Sequence, residues 1–150
     1  MSCFFDTNVL VYVFDRTHPH KQALAQDLVT EHMSQGDMVL STQVLQELYV
    51  TLTRKKQLGA TDALEVVTTF AQERVVPSSA DLVLRALALS ERRRLSAWDA
   101  LILQAALDAG CTTLYSEDFQ AGARFDDLIV VNPFALAAHE PAPKAYSRRR

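Results

Sequence analysis

Two cysteines, Cys3 and Cys111, are too few for a disulfide framework, and no Cys-x-x-Cys pair or Cys/His cluster has zinc-ligand spacing. Glycine (4) and proline (5) are scarce, and the 49% apolar and 22% charged shares are those of an ordinary globular chain. Wholesale disorder and collagen-like or low-complexity chains are thereby excluded. No uncharged apolar run approaches the ~20 residues of a membrane span. The start, Met1-Ser2-Cys3-Phe4-Phe5-Asp6, lacks the basic region of a signal peptide. A cytoplasmic protein with no membrane partner is expected. At 150 residues the chain has the length of one domain.

Positive charge is also in short supply. The net charge is -3, but Lys144, Arg148, Arg149 and Arg150 against Glu140 give residues 139–150 a local +3, so the rest carries -6. An acidic body does not grip nucleic acid by bulk charge alone, yet it can recruit metal cations. Residues 1–138 read as the folded domain and 139–150 as a loose basic tail.

What the chain does have is an alternation of short apolar runs with amphipathic stretches. Residues 3–6 predict a strand, with a buried helix from Thr7 because Asp6-Thr7-Asn8 breaks the run where a cap would sit. Helices are expected over 18–34 (Ala23, Leu24, Leu28 and Val29 inward), 43–57 (Leu45, Leu48, Tyr49 and Leu52), 61–73, 79–94 (Leu82, Leu84, Leu87 and Leu89) and 97–109. Strands are expected at 38–40, 75–76, 112–115 and 128–131. This order predicts an α/β fold of three layers, with helices on both faces of a mostly parallel sheet of about five strands.

In such a sheet, ligands bind beyond the carboxyl ends of the strands. Asp6 ends the first strand, and Glu47 lies early in the helix leaving the second. Asp118 follows the fourth strand by three residues. The helix that feeds the fourth strand descends from the same edge, and Asp99 is in its first turn. Single roles for these acids are easy to find: Asp99 fits a Ser96-x-x-Asp99 capping box, Asp118 an Asx-turn and Asp6 a helix cap. Glu47, on a largely buried helix, has no such role. Two carboxylates ~5 Å apart at an effective dielectric of ~20 repel by roughly 3 kcal/mol. No Arg or Lys is predicted beside these four, so the cluster points to Mg²⁺ or Mn²⁺ and phosphate chemistry.

Several segments resemble the PIN-domain nucleases. Phe5-Asp6-Thr7-Asn8-Val9-Leu10-Val11-Tyr12 followed by Phe14-Asp15 is similar to that family's first strand and helix, and Ser41-Thr42-Gln43-Val44-Leu45-Gln46-Glu47-Leu48 to its second acidic segment. Trp98-Asp99-Ala100-Leu101-Ile102 resembles the third motif, Leu114-Tyr115-Ser116-Glu117-Asp118-Phe119 the fourth, and Val131-Asn132-Pro133-Phe134 the family ending. The small size resembles the VapC-type toxins of bacterial toxin–antitoxin pairs. The resemblance implies a metal-dependent endoribonuclease with Asp6, Glu47, Asp99 and Asp118 as catalytic and metal-binding acids and Asn8 and Ser116 as accessory polar residues. It also implies an RNA substrate, a small antitoxin partner and a homodimer. Ser116 departs mildly, since the family often has Thr there.

Two other readings stand beside this one. A non-catalytic RNA- or protein-binding module would keep the fold without the chemistry. A phosphohydrolase with Asp6 as nucleophile would call for Asp-x-Asp, and Asn8 occupies the second position. Elsewhere, His18, His20, His32 and His139 show no ligand spacing and read as surface residues. Arg92-Arg93-Arg94 compensates a helix dipole, with a possible second use near the site, and Trp98 reads as packing. Tyr49, Leu52 and Leu58 suggest more apolar surface than one sheet face buries, hence a partner site.

Overall fold

The computed structural model describes residues 1–135. The expected tail at 139–150 lies outside them, as do the last residues of the expected 1–138 domain. The elements run β1 (Cys3–Phe5), α1 (Thr7–Tyr12), α2 (Pro19–Gln35), β2 (Met38–Ser41), α3 (Thr42–Arg54), α4 (Ala60–Phe70), β3 (Arg74–Val76), α5 (Ala80–Arg93), α6 (Ala97–Asp108), β4 (Thr113–Tyr115), β5 (Arg124–Phe125) and β6 (Leu128–Val131). The sheet order is β3-β2-β1-β4-β6-β5, parallel throughout except for the β5–β6 hairpin. This is the expected three-layer α/β architecture, with six strands where about five were expected.

The central strand β1 lies between β2 and β4, with Cys3 opposite Met38 and Thr113 and Phe5 opposite Tyr115. All three of its residues are buried, as a parallel strand covered on both faces requires. Phe4 and Phe5 are wholly inaccessible, and around them pack Leu10, Leu40, Leu48, Leu103 and Leu114.

Local signals set the helix ends that matter here. The Asp6 side chain accepts the Thr7 N–H and starts α1 at the end of β1. Ser41 caps α3 through Val44, Ser79 caps α5 through Leu82, and Ser96 caps α6 by accepting the Asp99 N–H. Gly36 closes α2 with φ 71°, where a side chain would be strained. The Asp6, Ser41 and Ser79 caps turn the chain into helices at the carboxyl ends of β1, β2 and β3.

Several expectations need correction. The α3 helix stops at Arg54 and α4 at Phe70, each three residues short of its expected end. Leu84 (66% exposed) and Leu87 (45%) face solvent rather than the core, because the α5 stripe that packs is Leu82, Ala86 and Leu89. Ala23 is exposed on α2, where Ala25 and Val29 are buried instead. Leu52 is fully buried and Tyr49 and Leu58 pack against the core, so the expected partner patch on α3 is not formed by those residues. Among the described residues no helix is long and apolar enough to cross a membrane.

Candidate functional site

The backbone brings Asp6 to the carboxyl edge directly: its N–H donates to the Tyr115 carbonyl at 2.9 Å, so the ends of β1 and β4 are tied at that point. The Asp6 carboxylate is buried, with Oδ1 accepting from the Thr7 N–H (2.8 Å) and Oδ2 from the Ser116 hydroxyl (2.7 Å). Ser116 Oγ in turn accepts the Asp118 N–H at 3.0 Å. One hydroxyl therefore links the acid after β1 to the loop that carries the acid after β4.

The other two acids join through α1 and α3. Thr7 Oγ1 donates to Glu47 Oε1 at 2.7 Å. Gln43, one helical turn before Glu47, donates through Nε2 to Glu47 Oε2 and to the Trp98 carbonyl, both at 3.3 Å. Asp99 follows Trp98 in the first turn of α6 and is buried. Hydrogen bonds thus join Asp6, Glu47 and the Asp118 loop, and Asp99 follows the Trp98 carbonyl that Gln43 contacts. Asn8 Oδ1 accepts the Glu117 N–H at 3.3 Å, and its Nδ2 is buried with no hydrogen-bond partner among the described residues.

Above the buried acids opens a cleft of about 730 Å³. Thr7, Asn8, Glu47 and Asp118 line it, whereas Asp6 and Asp99, both fully buried, do not. The cleft is not purely acidic, contrary to the expectation that no Lys or Arg would lie beside the acids. Lys55, Lys56 and His18 line it too. Lys56 Nζ is 3.0 Å from Asp15 Oδ2, and His18 Nδ1 is 2.9 Å from the same oxygen. Across the opening, Glu117 accepts from Tyr12 Oη (2.8 Å) and Lys21 Nζ (3.3 Å).

These contacts shift proton affinities in opposite senses. Burial disfavours the Asp15 charge, but hydrogen bonds from Thr17, Lys56 and His18 outweigh it and hold the carboxyl well below the usual range. Burial and the Glu117 carboxylate push the Tyr12 phenol up. The Lys21 ammonium is weakened by burial, but the Glu117 charge and Tyr12 more than compensate and raise its pKa.

Asp15, Glu117, Lys21 and Lys56 were not selected from the sequence, though Asp15 and Glu117 stand within family-like segments. Their partners are 41 and 96 positions away, so no local spacing reveals them. The Arg92–Arg94 triplet stays outside the cleft lining: Arg92 and Arg93 close α5, and the Arg93 guanidinium lies over the Phe125 ring at 4.6 Å. Trp98 is 58% exposed, not packed, because it projects from the first turn of α6. His32 is buried rather than on the surface.

The donor set of the four acids consists of hard carboxylate oxygens, which suits Mg²⁺ or Mn²⁺ and not a thiophilic metal. The family model described as PIN domain matches residues 3–126. A comparison with curated proteins finds no significant match. Among solved structures, the fold is similar to Mycobacterium tuberculosis VapC20, described as a sarcin-ricin loop cleaving toxin, at 20% identity and TM-score 0.64, covering 79% of this chain and 90% of that one. It is similar to a toxin–antitoxin complex from Klebsiella pneumoniae at 22% identity and TM-score 0.64, covering 88% and 98%. It is also similar to VapBC2 from Rickettsia felis bound to a promoter DNA fragment, at 20% identity and TM-score 0.60, covering 87% and 97%.

Proposed function

The chain belongs to the PIN domain family, and from that premise we propose that it is a Mg²⁺- or Mn²⁺-dependent endoribonuclease, the toxin of a toxin–antitoxin pair acting in the cytoplasm. The observation that carries this reading is the Ser116 hydroxyl shared between Asp6 and the Asp118 loop, with Glu47 tied in through Thr7. Such shared supports hold several carboxylates in one place against their mutual repulsion.

Asp6, Asp99, Asp118 and Glu47 are the residues that would hold the cation. When bound, it supplies positive charge for a phosphodiester under attack and makes water a better nucleophile at neutral pH. Asp6, held by two hydrogen bonds, and Asp99, both buried, would fix the position of that charge. Glu47 and Asp118 face the cleft and are placed to orient a water and take its proton. Asn8 and Ser116 keep the acids in register through their hydrogen bonds. Lys55, Lys56 and His18 line the same cleft and lie where phosphates flanking the scissile bond would run.

The partner proposals are a small antitoxin, as in the complexes of similar fold, and a second copy of this chain. The test is cleavage of a structured RNA by the purified protein. Cutting should require Mg²⁺ or Mn²⁺, stop in excess chelator and return when the metal is restored. Cleavage that persists in chelator would sink the metal-dependent reading.

A further inference from the structure

The side chains of Cys3, His32 and Asp37 meet on the sheet face covered by α2, with one ligand atom from each within 4.8 Å of the other two. They come from three separate places: the first residue of β1, the last turn of α2 and the residue before β2. Cys3 and His32 are buried, and Asp37 is partly open to solvent. No sequence spacing announces this trio, which is why the chain read as having no zinc-like cluster.

The main chain holds the three in register. Cys3 N–H donates to the Asp37 carbonyl at 2.9 Å, and Asp37 N–H donates to the His32 carbonyl at 3.3 Å. His32 Nδ1 lies 2.8 Å from Asp37 Oδ1, and its Nε2 lies 3.3 Å from the Tyr115 hydroxyl. The ring is further wedged between Phe5 and Tyr115, with centroids 5.4 Å from each. Burial first, then the Asp37 and Glu31 charges, raise the proton affinity of the Cys3 thiol, against a Thr113 hydrogen bond and the amino terminus, and burial with the same anions raises that of Tyr115.

We propose that Cys3, His32 and Asp37 form a second metal site that binds Zn²⁺ or a similar borderline-soft divalent ion, with water in the fourth position. Thiolate, imidazole and carboxylate together select such an ion over Mg²⁺. Adjacent corners of a zinc tetrahedron are about 3.3 Å apart, so binding through His32 Nδ1 would open the His32–Asp37 contact by about 0.5 Å and leave the ring proton on Nε2, facing the Tyr115 hydroxyl. The Cys3 thiol gives up its proton to solvent on binding. The site would brace the start of β1 against the end of α2 and the start of β2, with the His32 ring touching Tyr115 of β4. It is independent of the nuclease proposal, since it shares no ligand with the four acids.

Titration of the full chain with Co²⁺, which reports thiolate ligation by a sulfur-to-metal charge-transfer band, tests this. The wild type and Asp99→Asn should both show the band at one equivalent, and Zn²⁺ should abolish it by competition. Cys3→Ser should lack the band, and Asp37→Asn should bind about tenfold or more weakly. A wild type without the band, or a band surviving Cys3→Ser through Cys111, would overturn the proposal. Should Cys3→Ser fail to fold, Asp37→Asn decides alone: unchanged Co²⁺ affinity contradicts the site.

Discussion

The Ser116 hydroxyl touches two parts of the candidate site at once, donating to Asp6 and accepting from the Asp118 backbone. Ser116→Ala leaves the buried Asp6 Oδ2 short of a donor, at a cost of about 1–3 kcal/mol in stability. It should also lower RNA cleavage roughly 10–100-fold, the usual penalty for removing a support behind a ligand. Urea unfolding and cleavage at saturating Mn²⁺ measure the two effects separately. Full activity in this variant would mean that Ser116 is not a support.

Asp15 makes a prediction about acid. Its folded pKa lies below the ordinary 3.8 because Thr17, Lys56 and His18 stabilise the charge against the cost of burial. The unfolded chain therefore takes up the proton first as pH falls. The stability Asp15 contributes is complete above the ordinary aspartate range and is lost as pH drops through it towards the folded value. Asp15→Asn should cost about 1–3 kcal/mol near neutrality, since Lys56 loses its anion, and should flatten the acid limb of stability against pH. An unaltered acid limb in urea unfolding would show that this carboxylate is not linked to folding.

Among the elements, α1 and α3 line the cleft in equal measure. Gln43 and Glu47 face the acids from the first half of α3, and Lys55 and Lys56 follow its end. Lys55 is exposed and touches none of the acids' supports. Lys55→Ala should reduce the slope of log affinity against log salt for single-stranded RNA by about 0.7, the loss of one phosphate contact. An unchanged slope in a binding series with Ca²⁺ in place of Mg²⁺ would remove Lys55 from the RNA path.

Elements with strong local signals were legible from the sequence. The Asp6 break and the Ser96-x-x-Asp99 box mark where α1 and α6 start, and both side chains cap those helices in the structure. The β5 strand was not legible, because two residues, Arg124 and Phe125, carry no period, and only pairing with β6 defines them. In α5, leucines at 82, 84, 87 and 89 fit more than one helical stripe. Packing against α6 chooses 82 and 89 and leaves 84 and 87 exposed.

At the scale of the whole molecule, the doubly covered sheet explains why chain order alone assigns the four acids to one edge. Once β1, β2 and β4 are parallel, whatever follows them and whatever begins α6 must share an edge. Charges that meet through tertiary folding followed no such rule. Lys56 with Asp15, Lys21 with Glu117 and His32 with Asp37 at a sheet face all depend on how helices settle on the sheet. The body carries a net charge of about -6, and the fold sets lysines on both sides of the cleft, Lys55 and Lys56 on one and Lys21 with Glu117 across the opening.

The most direct test of that arrangement is single-turnover RNA cleavage by Asp6→Asn and Asp99→Asn beside the wild type at saturating Mn²⁺, with each variant's fold checked by its unfolding transition. Both substitutions keep side-chain shape and remove a negative charge from beneath the cleft. Both variants should fold at least as stably as the wild type, because repulsion among the acids is relieved. Both should lose cleavage by a factor of about 100 or more, the scale of removing a group that acts in the transition state. Folded variants that cut at the wild-type rate would contradict the assignment of these acids to the reaction.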